Sequence, residues 1–155
     1  MRRARQEIAD PAELEEIIRR AEYGVLSMVD GAVPYAVPVN PAWDGRYFYV
    51  HCALEGRKLE VLRANPRTQL CLIAEARLLH KDKPCACTMH YRSVLVDGRA
   101  EILLPGADEN ARRAGLECLL AGFAMQNLPM DQGIMDKTVI LRITPEKIRG
   151  KRNPA

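Results

Sequence analysis

The chain has no long apolar run. No stretch of about 18 apolar residues occurs among its 155 residues, so we expect no membrane span. The charged opening, residues 1–7, is not followed by an apolar block, so we expect no secretory signal. Five cysteines form an odd set without a secretory context. Free thiols in a reducing, cytoplasmic protein are therefore expected.

The chain also lacks clusters of aromatic residues, which make up 5% of it, and any known nucleic-acid reader motif. Its net charge is only +3. Basic residues do gather near both ends, namely Arg2, Arg3, Arg5, Lys147, Arg149, Lys151 and Arg152. Without stacking aromatics we interpret them as solvated charge, and we expect no nucleic-acid partner.

The composition, 48% apolar, fits a single domain over residues 1–155 with a real core. An N-terminal helix is clearly signalled. Asp10 can cap it, Pro11 suits its first position, Glu13 completes a capping box, and Gly24 fits its stop. One apolar stripe follows from Leu14, Ile17, Ile18 and Ala21.

The middle of the chain predicts antiparallel strands. Asp30-Gly31 and Asp44-Gly45 are hairpin signals. Between them, residues 35–41 alternate loosely. The prolines Pro34, Pro38 and Pro41 confine that stretch to an edge or irregular strand.

The second half alternates between strand and helix patterns. Asn65-Pro66 breaks the chain before a buried strand at 68–74. Residues 91–104 form a long β run with a turn signal inside it, at 97–98, which predicts either a hairpin or one bulged strand.

A second long helix follows that β run. Asp108 caps it, and residues 127–129 end it. Its predicted apolar face comprises Ala111, Ala114, Leu119 and Phe123. A last strand at 138–143 and a polar tail from 145 to 155 complete the chain. The fold class is therefore α+β, mainly β, built on a closed or nearly closed antiparallel barrel.

The segment at 51–58, reading His-Cys-Ala-Leu-Glu-Gly-Arg-Lys, follows an apolar strand and runs into a helical pattern. Arg57 and Lys58 therefore lie where a helix begins. The helix dipole is already positive there, so adjacent cations are unfavourable unless an anion is near. The segment predicts either a phosphate site or cations neutralised by Glu55 or Glu60.

Taken in order, these patterns resemble a known family. The motif is a strand, His-x-Ala-x-x-Gly-Arg-Lys, a short helix, Asn-Pro and a strand. The similar segments are residues 1–3, 34–40, 51–58, 89–94 and 148–151. The chain resembles the split-barrel flavin-binding proteins related to pyridoxamine 5'-phosphate oxidase, and within them the nitroimidazole-resistance branch.

The resemblance implies a split antiparallel β-barrel with peripheral helices, forming a homodimer with two flavin mononucleotide (FMN) sites at the subunit interface. FAD or haem is less favoured. Arg57 and Lys58 would hold the phosphate. The remaining implied cofactor contacts are Pro38, Val39 and Asn40 along the ring, Val50, His51 and Cys52 beside it, and Tyr91, Arg92 and Ser93 across the dimer.

The implied function is an FMN-dependent oxidoreductase that reduces a small electron-poor acceptor, such as a nitroaromatic. The chain has no glycine-rich dinucleotide fingerprint, so a nicotinamide donor would bind only transiently. The alternative is a non-catalytic flavin- or haem-binding carrier or sensor. Oxidation of pyridoxamine phosphate is not expected, because Tyr35 and Asn40 stand where the oxidase has Arg and Lys. Residues 148–155 also lack its substrate-binding segment.

Single residues carry open readings. His51 suits proton transfer, a cofactor contact or haem ligation, or simply a hydrogen bond in the barrel wall. Cys52 stands where the branch usually has glycine or another small residue. Cys85 and Cys87, with His90 and His80 nearby, are poorly spaced for zinc, so we expect no metal. Trp43 caps the barrel, or stacks on a ligand or on a partner subunit.

Overall fold

The computed structural model of the protein describes residues 4–83, 87–127 and 131–153. Over those residues one antiparallel sheet contains eight strands: β1 (Glu7–Ile8), β2 (Gly24–Asp30), β3 (Val33–Val39), β4 (Ala42–Trp43), β5 (Phe48–Cys52), β6 (Arg67–Leu79), β7 (Thr88–Leu103) and β8 (Val139–Asn153). The helices are α1 (Pro11–Arg20), α2 (Arg57–Ala64), α3 (Glu109–Gly122) and α4 (Gln132–Met135), and a 3-10 turn at Ala4–Gln6 precedes β1.

The strands run in the order β3-β2-β6-β7-β8-β5-β4, with β1 added to β8. Within the described ranges β3 and β4 form the ends of this order and do not pair with each other. The α+β, mainly β prediction is confirmed, but the sheet is not closed. No helix in the same ranges is long and apolar enough to cross a membrane.

Two apolar clusters lie on opposite faces of β5 and β8. The larger is built from alternate residues of the central strands, such as Leu72 and Val94, with Ile17 of α1 and Leu59 of α2. The smaller lies under α3, where Leu119 packs near Tyr49 and Ile140. Side chains alternate across a strand, so β5 contributes to both clusters.

Both predicted hairpins are confirmed. β2 and β3 pair from Gly24↔Val39 to Asp30↔Val33, and β4 pairs with β5 through Trp43↔Phe48. In the second turn Asp44 Oδ1 accepts the backbone N–H groups of Arg46 and Tyr47 at 2.7 Å. β3 is an edge strand, as its prolines predict.

For the first helix, the predicted N-terminal cap and apolar stripe are confirmed. The predicted capping box and the predicted end at Gly24 are wrong. Asp10 Oδ1 accepts the N–H of Ala12, while the Glu13 carboxylate turns away to Arg92 and Arg152. The helix ends at Arg20. Gly24 lies instead in β2, where a Cβ would come within 2.8 Å of the Cys71 carbonyl oxygen. This glycine lets two strands approach closely.

The long run at β7 is one strand and not a hairpin, and the bulge at its turn signal lies in the neighbouring strand. Asp97 pairs with Lys147 and Gly98 with Pro145, so the extra residue is Glu146 of β8. The predicted polar tail is wrong. β8 continues to Asn153, pairs with β7 and β1, and places Ile148 against the large core. The bulge accommodates Pro145 opposite Gly98, which is why a proline does not end the strand.

The inward face of α3 differs from the predicted one. Its buried positions are Arg112, Gly115 and Leu119, whereas Ala114 is exposed. The Asp108 cap is confirmed, since its side chain accepts the N–H of Ala111. The helix ends at Gly122, before the predicted breaker, of which residues 128 and 129 lie outside the described ranges.

Arg112 is a buried residue whose hydrogen bonds join separate segments, and the sequence did not reveal this role. Its side chain is 1% exposed. The guanidinium donates to Glu109 at 2.7 Å and to the backbone carbonyls of Met135 and Thr138 at 2.7 and 3.1 Å. It therefore fixes the segment that leads from α4 into β8.

Candidate functional site

The start of α2 combines a helix end that no side chain caps with two cations. Gly56 is the N-cap, with φ 127°, and no side chain caps the helix. A Cβ at Gly56 would meet no atom within 4 Å, so the space before the helix is open. Arg57 and Lys58 are the first two helical residues, as predicted. Uncapped N–H groups, two cations and open space together make an anion-binding arrangement.

Arg57 lies between an acid and an aromatic ring. Its guanidinium contacts Asp30 at 2.9 Å and lies 4.6 Å from the ring centroid of Tyr35. The carboxylate that neutralises it therefore comes from the end of β2, and not from its neighbours Glu55 or Glu60. Both side chains of the pair are about half exposed, at 54% and 43%.

Lys58 lies near the thiol of Cys52. Burial raises the pKa of that thiol, and the ammonium of Lys58 only partly opposes the shift. Cys52 is accordingly a thiol at neutral pH, since the shift is upward from an already high ordinary value. In the structure Cys52 is therefore a packed, protonated side chain next to the ammonium of Lys58.

Strand alternation divides the predicted residues of β5 between two faces. Val50 is buried in the large core, and Cys52 packs against the same core. His51 points to the other face, where its ring lies edge-on to Phe123 with centroids 6.4 Å apart. The structure therefore brings Cys52 and Lys58 together but sets His51 on the opposite side of the strand.

His51 lines a cleft of about 770 Å³ between the end of α1, the β3–β4 connection and the end of α3. Asn40 and Trp43 lie on one wall, and Phe123 and Met125 on another. Asn40 donates its side-chain amide to the carbonyl of Glu22 at 2.9 Å. Trp43 packs on Phe48 with ring centroids 4.3 Å apart, so it covers the core and also faces the cleft.

The lip of the cleft contains a strained residue. Ala124 has φ 55°, the one non-glycine residue with positive φ in the described ranges. The N–H of Ala124 bonds the carbonyl of Ala121, and that of Met125 bonds Leu120 at 2.7 Å. This is a Schellman ending of α3 with alanine where glycine is usual. It sets the direction in which Phe123 and Met125 leave the helix.

Arg92 lies in an ion cluster away from the α2 start. Its side chain is 16% exposed and contacts Glu16 at 2.8 Å, with Glu13 and Glu75 each at 3.5 Å. Glu16, and after it Glu75, hold the pKa of Arg92 above its usual range. Within one chain, the contacts recorded for Arg92 are thus with α1 and β6 and not with the residues of α2.

The remaining predicted positions are spread along two strands. Pro38 and Asn40 are exposed at the end of the β3 edge, whereas Val39 is buried in the large core. Ser93 hydrogen-bonds the carbonyl of Lys151 at 3.4 Å. One chain therefore assembles two local sites, the α2 start and the cleft, and leaves Arg92 and Ser93 elsewhere on the sheet.

The zinc reading of the cysteine pair involves residues 84–86, which the structure does not describe. His90 contacts Glu75 at 3.0 Å. Among residues 4–83, 87–127 and 131–153, no group of three or more His, Cys, Asp or Glu side chains is arranged to hold a metal ion.

Sequence reasoning missed Asp30, Phe123, Met125 and Ala124 as parts of these sites. Asp30 was assigned only to a turn, although it pairs with a residue 27 positions later. The cleft joins three elements that are distant in sequence, so no local pattern marks it. Only the end of α3 has a sequence signal. The breaker at residues 127–129 predicts it several residues after Gly122, where the helix ends.

Comparison with known proteins places the chain among characterised folds. The sequence model of the family described as pyridoxamine 5'-phosphate oxidase matches residues 10–152. Among curated proteins no sequence match was found. The split-barrel resemblance inferred from the sequence is confirmed by the family match and by solved structures of similar fold.

Three solved structures illustrate the similarity. A candidate 5-nitroimidazole antibiotic resistance protein of Bacteroides thetaiotaomicron has a TM-score of 0.81 at 21% identity, covering 94% of this chain and 85% of that one. A flavocytochrome of Azotobacter vinelandii has a TM-score of 0.84 at 18% identity, covering 100% and 72%. An FAD-binding protein of Mesorhizobium loti has a TM-score of 0.65 at 24% identity, covering 93% and 95%.

Proposed function

We propose a function from one premise: the chain belongs to the pyridoxamine 5'-phosphate oxidase family, whose sequence model spans residues 10–152. In our proposal the protein binds FMN, with its phosphate at the start of α2, and acts as a homodimer. It passes electrons through the flavin to a small electron-poor acceptor, of which a nitroaromatic is one example. Among the similar structures, the FAD-binding protein and the flavocytochrome agree with a flavin cofactor, and the nitroimidazole resistance protein agrees with a nitroaromatic acceptor.

The observation that carries the proposal is the donor set at the α2 start. Arg57 and Lys58 supply cations, and the uncapped helix supplies backbone N–H groups. A phosphate monoester matches such a set, because it accepts several charge-assisted hydrogen bonds at once. The residues present therefore fit the phosphate end of FMN.

Arg57 must exchange partners in this proposal. It pairs with Asp30 in the structure, and the pair is exposed on both sides. An exposed ion pair contributes only about 0–1 kcal/mol, so a dianionic phosphate can compete for the guanidinium. Until the phosphate binds, Asp30 then pairs with Arg57 and keeps its guanidinium directed across the mouth of the site.

The ring of the flavin would lie along the β3 edge. Pro34 and Pro38 lack an N–H group, which is tolerated where that group would point away from β2. The carbonyls of the same residues then face the open edge, since the N–H and C=O of a residue in an antiparallel strand point the same way. They can accept hydrogen bonds from the polar edge of the ring.

Bound flavin would supply the electron transfer itself, and the chain would bind it, orient it and provide protons. His51 is exposed at the cleft, and an imidazole is a side chain suited to proton exchange. The ring of Phe123 lies edge-on to the imidazole, with the centroids 6.4 Å apart. We assign His51 the proton-exchange role on this basis.

Oxidation of pyridoxamine phosphate is not part of the proposal. Tyr35, at a position where the oxidase carries a basic residue, lies under the guanidinium of Arg57. Asn40, at the second such position, donates a hydrogen bond to the carbonyl of Glu22. Residues 148–153 form a sheet strand instead of a segment that closes over a substrate.

The test is to release and identify by mass any chromophore bound to the purified full-length protein, with its absorbance recorded before release. FMN in near-stoichiometric amount supports the proposal. A protein that carries no chromophore and gains none on addition of FMN would contradict it. A Soret band would favour the alternative of a haem-binding carrier with His51 as ligand. Tight flavin binding without reduction of any acceptor would favour a flavin carrier.

A further inference from the structure

We propose that the cleft between α1, β4 and α3 binds a planar aromatic carboxylate, independently of the anion site on α2. Only the role of this ligand as the electron acceptor rests on the function proposed above. Its binding does not require a flavin.

The walls of the cleft suit a flat ring. Trp43 and Phe123 present aromatic surfaces, and Met125, 46% exposed, adds a flexible thioether at the mouth. The volume of about 770 Å³ lies within the range of roughly 300–1,000 Å³ that is usual for small-molecule sites. Aromatic rings bind such walls by offset or edge-on stacking, and methionine adapts its shape to the ligand.

The rim of the cleft contains hydrogen-bond donors that an anion can use. Arg19, Arg20 and His51 line the cleft together with one carboxylate, that of Glu22. Arg19 pairs with Glu15, and Arg20 with Glu16 and Glu75, yet the two side chains stay 59% and 53% exposed. A guanidinium has five N–H donors, so Arg19 can donate to a second carboxylate and Arg20, whose pairs both use Nη1, to a third.

Deeper in the cleft, only some of the hydrogen-bond donors are free to bind a ligand. The amide nitrogen of Asn40 is engaged by Glu22, so the donors open to a ligand are the imidazole of His51 and the arginines. Because Arg19 and Arg20 occupy the last turn of α1, they also offset the negative end of that helix dipole. A carboxylate at the rim therefore meets cations before it meets helix carbonyls.

The strain at Ala124 supports a role for this cleft beyond packing. A left-handed alanine is less stable than a glycine at the same position, and such residues concentrate at functional sites. Here the strained residue separates Phe123 from Met125, the two side chains that form the α3 wall. The conformation thus sets the shape of the ligand wall.

The cleft and the α2 site are separated by β5. His51 faces the cleft, whereas Cys52 and the nearby Lys58 lie on the other side of the strand. A ligand in the cleft therefore leaves the α2 cations available. The two occupancies can be measured one at a time.

The chain contains a built-in reporter, because Trp43 is its only tryptophan and lines the cleft. The full-length protein is titrated calorimetrically with para-nitrobenzoate and with the neutral para-nitrobenzamide, and Trp43 fluorescence is followed in parallel. We expect the carboxylate to bind about tenfold more tightly and to quench Trp43, as one charge-assisted contact predicts. Arg20→Gln should bring its affinity down to that of the amide, and Arg63→Gln, an exposed cation on α2, should not.

Equal affinity for the carboxylate and the amide would overturn the proposal, as would binding that leaves Trp43 fluorescence unchanged or resists Phe123→Ala. FMN binding is recorded separately by flavin absorbance. FMN uptake without para-nitrobenzoate binding would remove the cleft proposal and leave the proposed function. Binding of para-nitrobenzoate by a chain that takes up no FMN would do the reverse.

Discussion

The guanidinium of Arg57 contacts the carboxylate of Asp30 at 2.9 Å, across 27 residues of sequence. The first residue of α2 is thus held by the last residue of β2. The pair is too exposed to add much stability. Its consequence concerns binding, because the acid competes with any anion that approaches α2.

Asp30→Asn should strengthen FMN binding, because it removes the competing acid without removing the side chain. The gain should be up to about fivefold, the equivalent of an exposed ion pair. Riboflavin, which lacks the phosphate, should bind unchanged. Dissociation constants from flavin fluorescence would measure both. Glu101→Gln breaks another exposed pair, with Arg142, and serves as the control. Weaker FMN binding by Asp30→Asn would count against the phosphate assignment.

Lys58→Ala should weaken FMN binding by about 1.5–3 kcal/mol, the cost of one charge-assisted hydrogen bond. Riboflavin binding should change little, because only the phosphate contact is lost. The exposed Lys147 on β8 offers a matched control as Lys147→Ala. Equal losses for FMN and riboflavin would place Lys58 beside the ring instead of the phosphate.

Arg112→Met should lower the free energy of unfolding by about 3 kcal/mol. The substitution keeps the aliphatic volume but leaves the carbonyls of Met135 and Thr138 without their donor, at about 1–3 kcal/mol for each buried group. Urea denaturation followed by circular dichroism measures the change. Arg113→Met, at the exposed neighbouring position, should stay near wild type. A similar loss of unfolding free energy at both positions would refute a specific stabilising role for the Arg112 hydrogen bonds.

Ala124→Gly should raise the free energy of unfolding by about 0.5–1 kcal/mol, because relief of the left-handed strain exceeds the added entropy of the unfolded chain. Ala114→Gly, at an exposed position within α3, should instead lower it by about 1 kcal/mol. The two substitutions are chemically identical, so opposite signs isolate the backbone conformation. A loss of stability at both positions would mean that Ala124 is not strained.

The ion cluster on α1 should make stability depend on pH in the acid range. Hydrogen bonds from Arg92 and then Arg20 lower the pKa of Glu16 from 4.5 to about 2. A depressed folded-state pKa contributes stability above the ordinary value, and that contribution is lost as pH falls from 4.5 toward about 2. Urea midpoints measured across this range should fall less steeply for Glu16→Gln than for the wild type. Glu117→Gln, exposed on α3, should leave the slope unchanged.

Local signals in the sequence predicted the elements that local interactions determine. The Asp30-Gly31 and Asp44-Gly45 turns, the Asp10 cap and the start of α2 at Arg57 all depend on residues within a few positions. Each has a direct physical cause, such as a left-handed glycine or a side chain that caps N–H groups. The structure confirms them for that reason.

Nonlocal pairing accounts for what the sequence did not reveal. Residues 145–153 are polar enough to suggest a tail, yet β7 and, from the other end of the chain, β1 supply hydrogen-bonding partners for them. Arg92 carried no sign of its carboxylates, which lie 76 and 79 residues earlier. The resemblance implied that His51 and Cys52 both lie beside the cofactor, whereas strand alternation puts them on opposite faces of β5.

The position of β8 has a consequence for how the protein folds. This strand lies between β5 and β7 in the sheet and also carries β1, so it joins segments made long before it. Until β8 is synthesised, β5 and β7 each present an open edge, which is a hazard for aggregation. Folding should therefore be slow and completed late, and a truncation before residue 139 should leave an insoluble chain and not a smaller folded sheet.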